Sequence, residues 1–389
     1  MFPKAKLGPL TTKVGSGATP RGGASVYTDE GVAFIRSQNV LDFRMKLDDV
    51  ARLTDDAAHI LRGVTVEVGD VLLNITGDSI ARCCVVDEDV LPARVSQHVA
   101  IIRTKKDLRP RYLQYVLLEP GFKSHLVTIS DGGGTRKALT KAMIESLEIP
   151  VPSRAEQEAI AEVLGALDDK IAANAQVIQK ADELSRARFQ AVAVTGDEVP
   201  LSSLARFVNG RAYTKNATGT GRVVVRIAEL NSGIGASTVW NDIEVPDDNT
   251  ARPGDLLFAW SGSLTAARWY RSEAIVNQHI FKVVPNPGVP MWLVNQAVHA
   301  TLDEFKAIAQ DKATTMGHIQ RHHLDEPVKI PTSAEIKELD GLMAGLWEAA
   351  LAAEIENLKL TSTRDELLPL LMSGKVRVKD AEKTVEGVL

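Results

Sequence analysis

The feature that most constrains the fold is an apolar pattern that runs for about 40 residues through the middle of the chain. It follows the segment "IPVPS" (149–153), with Ser153 as a candidate N-cap and Glu156 in the first turn. A helix of this length spans roughly 60 Å and cannot bury its apolar stripe against itself, so it needs a partner. Steps of three and four define the stripe, which contains Ile160, Leu164, Leu167, Ile171, Asn174, Ile178, Ala181 and then Leu184 or Ser185.

A second pattern of the same kind near the end of the chain provides the partner. It begins at Ser333, a candidate N-cap, with Glu335 near the first turn. Each stripe has an asparagine near its middle, Asn174 or Asn357. A buried Asn pair commonly fixes the register of two helices. We therefore expect helix 153–192 to pack antiparallel on helix 333–372; the alternative is that each helix lies on its own block. The second stripe contains Ile336, Leu339, Met343, Leu346, Ala350, Ala353, Asn357, Leu360, Arg364, Leu367 and Leu371.

The two halves of the chain repeat each other. The order of matching segments is the same in both halves, which indicates a tandem duplication of an irregular α/β block followed by a long helix. The matching pairs are "EVGDVLLNITGDS" (67–79) with "RPGDLLFAWSGSL" (252–264), "VSQHVAII" (95–102) with "VNQHIFKV" (276–283), "FIRSQNV" (34–40) with "VVRIAEL" (224–230), and "LEIPVPS" (147–153) with "VKIPTSA" (328–334).

The repeat predicts an α+β protein with two pseudo-symmetric α/β domains separated by two long antiparallel coiled-coil helices. An antiparallel pairing would place the two blocks at opposite ends of one rod. The predicted boundaries are residues 1–150 for the first block, 151–196 for the central helix, 197–330 for the second block, 331–375 for the C-terminal helix and 376–389 for a tail.

Composition narrows the function only a little. The net charge is −5, and Lys and Arg stand against Asp and Glu as 20 to 18 in residues 1–150 and as 13 to 14 in residues 197–330. Each block is therefore near neutral, and a basic face is available if the acids lie opposite it. The two cysteines are neighbours, Cys83 and Cys84, which predicts a reduced cytoplasmic setting and small core residues in a strand, with a redox switch as the alternative. No apolar run is long enough for a membrane span.

The sequence lacks the common catalytic motifs. "GGGTRK" and "MSGKVR" do not have Walker A spacing, and neither an aminomethyltransferase motif nor G-x-S-x-G is present. We expect no catalytic residue, no metal site and no cofactor on this chain. The Gln97-His98 and Gln278-His279 pairs are interpreted as structural groups inside apolar strands rather than as catalytic groups. Asp168 and Asp169 are interpreted as a solvated helix face.

Together these segments resemble the specificity (S) subunit of type I restriction-modification systems, over nearly the whole chain. The resemblance depends on the opening "LTTKVGSGATPRGGASVYTDEGVAFIRSQNV", on "VGDVLLNITG" and "SQHVAIIR", on "IPVPSRAEQEAIAEVLGALDDKI", and on "DELLPLLMSGKVRV". The sequence departs from the family pattern in its second half. There Glu335-Ile336 replaces a Glu-Gln pair, and "VNGRAYTKNATG" replaces the Gly-Thr-Pro start.

The resemblance implies a subunit that does no chemistry and binds double-stranded DNA. Each block, a target recognition domain, would read one half of a split sequence, and the helical rod would measure the gap. Two modification subunits would carry S-adenosylmethionine and methylate adenine N6, and ATP-dependent restriction subunits would complete a complex for phage defence. The alternatives are a similar subunit of another methylation-based assembly, a coiled-coil scaffold, and a remnant methyltransferase or nuclease.

Candidate DNA contacts lie in loops, because base readout needs forked or amide side chains and phosphate contacts need basic or hydroxyl groups. The first loop is "DGGGTRKALTK" (131–141), unless it is only a surface loop. Its counterpart is "TTMGHIQRHH" (314–323), where the offset of the Gln-His pairs places Lys137 opposite His318. Metal binding by its histidines is the less favoured alternative, since His322 and His323 are expected to point in different directions. Further candidates lie in the loops that follow the repeated Gly turns and in the loops near the start of each block. The complete set is Arg21, Thr76, Ser79, Arg82, Thr135, Arg136, Lys137, Lys141, Arg211, Lys215, Ser261, Ser263, Arg268, His318, Gln320, Arg321 and His322.

Overall fold

A computed structural model describes residues 2–131, 137–311 and 317–389. The chain divides into two compact units. The first consists of Met1–Lys170 with Leu360–Leu389, and the second of Ile171–Lys359. Each unit therefore contains one α/β block together with a part of each long helix.

The described part of the first block contains two four-stranded sheets and a two-stranded sheet. Their orders are β2-β9-β6-β7, β3-β5-β4-β8 and β1-β10. The strands are β1 (Lys4–Lys6), β2 (Thr11–Ser16), β3 (Tyr27–Thr28), β4 (Val32–Ile35), β5 (Ala51–Leu53), β6 (Val71–Asn74), β7 (Cys83–Val85), β8 (Ala93–Val95), β9 (Val99–Thr104) and β10 (Glu148–Pro150). The helices are α1 (Asp55–Ile60), α2 (Pro110–Leu118), α3 (Pro120–Ser130) and α4 (Lys141–Ser146).

The core of this block lies between the two larger sheets. The first is antiparallel throughout, whereas β4 and β8 of the second run parallel. All four residues of β6 are buried: Val71, Leu72 and Leu73 are apolar, and the Asn74 amide donates to the Ser37 carbonyl at 2.8 Å. Ile35, Leu72 and Ile101 are fully buried in the cluster that joins the sheets.

The second block is built on the same plan. Its sheets have the orders β12-β19-β16-β17, β14-β13-β18-β15 and β11-β20, and β13 runs parallel to β18 as β4 does to β8. The predicted duplication is confirmed at the level of strand order. The elements are β11 (Asp197–Pro200), α6 (Leu201–Leu204), β12 (Ala205–Asn209), β13 (Arg222–Val225), α7 (Ile227–Ser232), β14 (Trp240–Asn241), β15 (Thr250–Ala251), β16 (Leu256–Ala259), β17 (Thr265–Arg268), β18 (Ala274–Val276), β19 (Ile280–Pro285), α8 (Met291–Asp311) and β20 (Pro327–Ile330).

The repeated Gly-Asp turn has a structural explanation. Asp70 accepts the backbone N–H of Glu67 at 2.8 Å and pairs with Arg103 at 2.8 Å. In the second block, Asp255 accepts the backbone N–H of Arg252 at 2.7 Å and pairs with Lys282 at 3.1 Å. The aspartate closes the turn before the central strand and neutralises a basic residue of the neighbouring strand, so the motif maintains the fold.

The two long helices have nearly the predicted bounds. They are α5 (Arg154–Ala193) and α9 (Ser333–Ser373), and a short helix α10 (Val378–Glu386) follows. Their predicted stripes are buried or half-buried, and Ser185 rather than Leu184 continues the first one. The second block packs on both helices, since Phe189 of α5 and Met343 of α9 belong to its core.

The starts of the helices explain the Glu-Gln motif. Ser153 and Glu156 form a reciprocal cap at the start of α5, as predicted. At α9 the cap is Thr332, not Ser333 as expected: its hydroxyl accepts the Glu335 N–H at 3.4 Å, and the Glu335 carboxylate accepts the Thr332 N–H at 2.8 Å. Buried Gln157 accepts the Arg109 N–H and donates to the Asp107 carbonyl, which ties α5 to the first block.

An asparagine pair joins the helices in the second unit. Asn174 donates to the Asn357 side-chain oxygen at 3.0 Å, and Asn357 donates to the Ile171 carbonyl at 3.3 Å. In the first unit, Asp168 pairs with Arg364. Residues with higher numbers on α5 therefore contact residues with lower numbers on α9, so the two helices are antiparallel. The prediction that the helices pack on each other is confirmed.

Asp168 is not the solvated residue that the sequence suggested. Its carboxylate lies 2.8 Å from the Arg364 guanidinium and accepts the Tyr115 hydroxyl at 2.5 Å, and both charged side chains are about 10% exposed. Arg364 also lies 3.8 Å over the Phe43 ring. Burial raises the pKa of Asp168, against the opposing effect of Arg364. This cluster attaches the first block to the helix pair.

The cysteines occupy the core, as predicted. Cys83 and Cys84 are fully buried in β7, and burial raises the pKa of Cys84 to about 12. Such thiols are unreactive at neutral pH. Among the described helices, none is both long and apolar enough to cross a membrane.

Arg364→Ala should destabilise the protein by about 3–5 kcal/mol, because it leaves the buried Asp168 carboxylate without its partner. Arg206→Ala is a matched control, since it breaks an exposed pair with Asp248 and should cost less than about 1 kcal/mol. Denaturant titration of both variants measures the difference. Equal losses would show that the Arg364 pair is not a structural clamp.

Candidate nucleic-acid interface

An exposed Gln-His turn lies where the two sheets of the first block meet. Gln97 and His98 connect β8 to β9 and are exposed, so the expectation that they lie inside an apolar strand is wrong. The Gln97 amide nitrogen is 3.3 Å from His98 Nε2, and His98 Nδ1 is 2.7 Å from the Thr76 hydroxyl. The two polar side chains are thus held in place at the surface.

The second block has the same turn between β18 and β19. Gln278 is exposed and its amide nitrogen is 3.2 Å from Nε2 of His279. The His279 ring lies 5.5 Å from the ring of Trp260, which donates through Nε1 to Asn209 at 2.9 Å. The Trp260 ring therefore supports His279 in the second block as the hydrogen bond with Thr76 supports His98 in the first.

In the first block, the loop before α4 adjoins this turn. Ile75 donates its backbone N–H to the His98 carbonyl at 3.0 Å, Leu139 donates to the Ile75 carbonyl at 2.9 Å, and Thr76 forms a bridge with Ala138. Exposed Lys137 is next to that bridge.

The second block has the equivalent backbone bonds. Trp260 donates its N–H to the His279 carbonyl at 3.2 Å, Ile319 donates its N–H to the Trp260 carbonyl at 3.1 Å, and Ser261 forms a β-bridge with His318. His318 thus corresponds to Ala138, and the sequence alignment that placed it opposite Lys137 was one residue out.

The early loop also adjoins the turn. Gly17 packs so closely on the chain before Gln97 that an added Cβ would overlap the carbonyl oxygens of Val95 and Ser96. Gly210 makes the same close approach to the carbonyl oxygens of Val276 and Asn277. Only glycine fits such a contact. The sequence "VNGR" therefore keeps the essential glycine of the first block's "VGSG", although it lacks the Gly-Thr-Pro start.

Most of the predicted contact residues are accessible. Lys137 is 3.0 Å from Asp131, and Lys141 is 3.6 Å from Glu145, so each has an acidic neighbour. Thr135 and Arg136 lie outside the described residues. Those half-buried are Thr76, Ser79 and Arg82, and those exposed are Arg21, Lys137, Lys141, Arg211, Lys215, Ser263, His318, Gln320, Arg321 and His322.

Two predicted contact residues are corrected. The side chain of Arg268 is 5% exposed, and it pairs with Glu354 of α9 at 2.8 Å and lies 4.6 Å over the Trp347 ring. Burial raises the pKa of Glu354, and the Arg268 guanidinium opposes that rise. Arg268 therefore attaches the second block to the helix, as Arg364 attaches the first. Ser261 is also buried, and it serves the bridge to His318.

A cavity of about 640 Å³ extends the surface of the second block. It is lined by Asn209, the residue that binds Trp260, and by Arg321 and His322. The rings of His322 and His323 lie 4.1 Å apart, so these side chains do not point in different directions. Among the described residues, no group of three or more potential metal ligands comes together.

Comparison with known proteins finds similarity to specificity subunits of type I restriction-modification systems. Residues 64–183 match the family model of the type I restriction modification DNA specificity domain. Over its whole length the chain resembles the crystal structure of the S subunit of a type I restriction-modification system from M. genitalium, with a TM-score of 0.60, 14% identity, and coverage of 95% of this chain and 96% of that one. Residues 64–183 therefore match a type I restriction-modification specificity domain, and the chain shares the fold of the M. genitalium S subunit.

The relatives are distant in sequence. The type I restriction enzyme HindI specificity subunit of Haemophilus influenzae is 24% identical over 170 residues, which is 43% of this chain and 37% of that protein. The HsdS subunit of Thermoanaerobacter tengcongensis is 16% identical, covers 96% of this chain and 97% of its own, and has a TM-score of 0.38. The similarity to the M. genitalium S subunit therefore establishes the fold, and it does not assign roles to particular side chains.

Sequence reasoning missed the Gln-His turns as accessible groups. The signal was present, since the same dipeptide recurs at the same place in both halves as Gln97-His98 and Gln278-His279. Its apolar flanks led to the interpretation as strand interior, and only the fold shows that the chain turns there.

Arg268→Ala should lower the free energy of unfolding by about 3–5 kcal/mol, because Glu354 is left buried without its partner. Arg321→Ala should change it by less than about 0.5 kcal/mol, because that side chain is exposed. Thermal and urea unfolding of the two variants distinguish the structural arginine from the surface one. The assignment fails if Arg268→Ala unfolds like the wild type.

Proposed function

We propose that this chain is the non-catalytic DNA-recognition subunit of a type I restriction-modification complex. Each block would read one half of a bipartite sequence in double-stranded DNA. The proposed recognition domains are residues 1–150 and 197–330. Partner subunits would supply the chemistry with S-adenosylmethionine and ATP, in a cytoplasmic complex.

The observation that carries this proposal is that one loop cluster is built twice. In each block an exposed Gln-His turn adjoins the loop after β6 or β16, the early loop after Gly17 or Gly210, and the segment before α4 or Arg321. Such loops present amide, hydroxyl and basic groups together. Those are the donors used for base edges and phosphates.

The surroundings of the two clusters differ. Lys137 and Ala138 in the first block correspond to Gly317 and His318 in the second, and Ile75 corresponds to Trp260. A common framework with different surface groups is what two different half-sites would require. This contrast favours a protein whose two blocks recognise different DNA sequences. A protein that binds the same ligand twice would be expected to have the same surface groups in both blocks.

We further propose that the long helices set the spacing between half-sites and bind the two modification subunits, to which restriction subunits are added. The helices also expose apolar side chains, which a docked subunit would cover. On the parts of the helices in the second unit these are Val177, Leu184, Leu342 and Ile355.

Arg136→Ala combined with Lys137→Ala should weaken recognition of one half-site only. The expected loss is roughly tenfold in affinity, since two phosphate or base contacts would disappear. Gel shifts with duplexes mutated in one half or the other measure it, using the target found by methylome sequencing. Lys329→Ala, an exposed lysine of β20, is the control and should leave binding unchanged. Equal loss at both half-sites, or no loss, would contradict the assignment of one block to each half.

Insertion of about four residues into one long helix should widen the preferred gap between half-sites. Four residues lengthen a helix by roughly 6 Å, which is comparable to two base-pair steps. Methylome sequencing of cells that carry the variant complex reads the gap directly. An unchanged gap in a complex that still methylates would exclude the helices as a ruler.

A further inference from the structure

The Gln-His turn is the surface element that the two blocks share most closely. Gln97 and Gln278 are both exposed, and in each the amide nitrogen lies 3.2–3.3 Å from Nε2 of the adjacent histidine. The rest of each amide remains accessible. Each block therefore presents the same pair of polar groups at the point where its loops meet.

The backbone under each turn is rigid. Ser96 donates its N–H to the Ile35 carbonyl at 2.9 Å, and Val99 donates to the Ser96 carbonyl at 3.0 Å. In the second block, Asn277 donates its backbone N–H to the Val225 carbonyl at 3.2 Å, and Ile280 donates its N–H to the Asn277 carbonyl at 3.1 Å. The turn is thus anchored to the strands of both large sheets, so its side chains are held at a fixed position before any ligand arrives.

The polar atoms beneath the turns are incompletely satisfied. Ser96 Oγ and Asn277 Oδ1 occupy equivalent buried positions, and neither has a hydrogen-bond partner among the described residues. Nδ1 of His279 is a third such atom. A buried polar atom without a partner costs free energy. Ser96 and Asn277 each immediately precede the exposed glutamine of their block, so the two turns correspond even in the position of this polar atom.

What the turns share limits what they recognise. Residues that distinguish two different half-sites must differ between the blocks, as Lys137 and Gly317 do. Groups that are identical in both blocks suit a feature that both half-sites have in common. In duplex DNA that feature is the sugar-phosphate backbone, whose oxygens accept hydrogen bonds irrespective of sequence.

We propose that the turns Gln97-His98 and Gln278-His279 each hold a DNA backbone phosphate and fix the register of their block on the duplex. The amide N–H groups donate to the phosphate oxygens, and the imidazole orients the amide. The residues around the turn then read the bases. This inference rests on the proposed DNA recognition and specifies which group positions the reader.

A charge series at Gln97 tests the proposal on the full-length chain. Gln97→Lys should bind its target at least as tightly as the wild type, and the slope of log affinity against log salt should steepen by about 0.9, because one more phosphate charge is neutralised. Gln97→Glu should weaken binding about tenfold or more, by repulsion from the same phosphate. Both variants should keep the same target sequence.

The matched pair Gln278→Lys and Gln278→Glu should reproduce these effects through the second half-site. Circular dichroism and thermal unfolding of each variant exclude misfolding as the cause of a lower affinity. Equilibrium binding to the cognate duplex, and to duplexes with either half-site scrambled, gives all of the required values.

Two results would overturn the phosphate assignment. One is a change of the preferred base in the Lys or Glu variants, which would make the glutamine a base reader. The other is unchanged affinity and salt dependence in all four variants, which would leave the turn a structural element. Failure of the underlying function is distinguishable from both, because the wild-type chain would then bind cognate and scrambled duplexes equally.

Discussion

The antiparallel pairing of α5 and α9 is the constraint on which the rest of the structure depends. Asn174 and Asn357 hydrogen-bond each other across the two helices, and a shift of register would leave the buried Asn174 amide without its partner. Arg268 of the second block pairs with Glu354 of α9, whereas in the first unit Asp168 of α5 pairs with Arg364 of α9 and accepts the Tyr115 hydroxyl of the block. Breaking either ion pair would leave a charge in an apolar environment. These contacts therefore stabilise one packing of each block on the helices relative to shifted packings.

The long helices and the duplication could be predicted from the sequence, because periodic burial over 40 residues leaves an unambiguous pattern. The Gln-His turn could not. "VSQHVAII" contains neither Gly nor Pro and reads as one strand, yet the chain turns there because Ser96 bonds Ile35 of one sheet while Val99 opens a strand of the other. Nor could Arg268 be recognised as structural, since its partner Glu354 lies 86 residues further along the chain. Thr332 and Ser333 are both suitable caps in sequence, and the reciprocal hydrogen bonds with Glu335 identify the threonine as the cap.

The two blocks show how a shared framework can carry different specificities. The Gly-Asp turn, the close approach of Gly17 or Gly210 and the Gln-His turn recur in both, and all of them fix backbone positions. The side chains placed around them differ, as the pair Ile75 and Trp260 illustrates. In the account proposed above, the recurring parts hold the block on the DNA backbone and the differing parts read the bases. New specificities would then arise by changing loops without disturbing the core.

Hydroxyl-radical footprinting of the full-length chain on its own target tests the central claim most directly, which is that two copies of one loop cluster contact two separate half-sites at once. The account predicts two protected tracts on the duplex with an accessible segment between them. A single continuous tract, or protection of one tract alone at saturating protein, would contradict it.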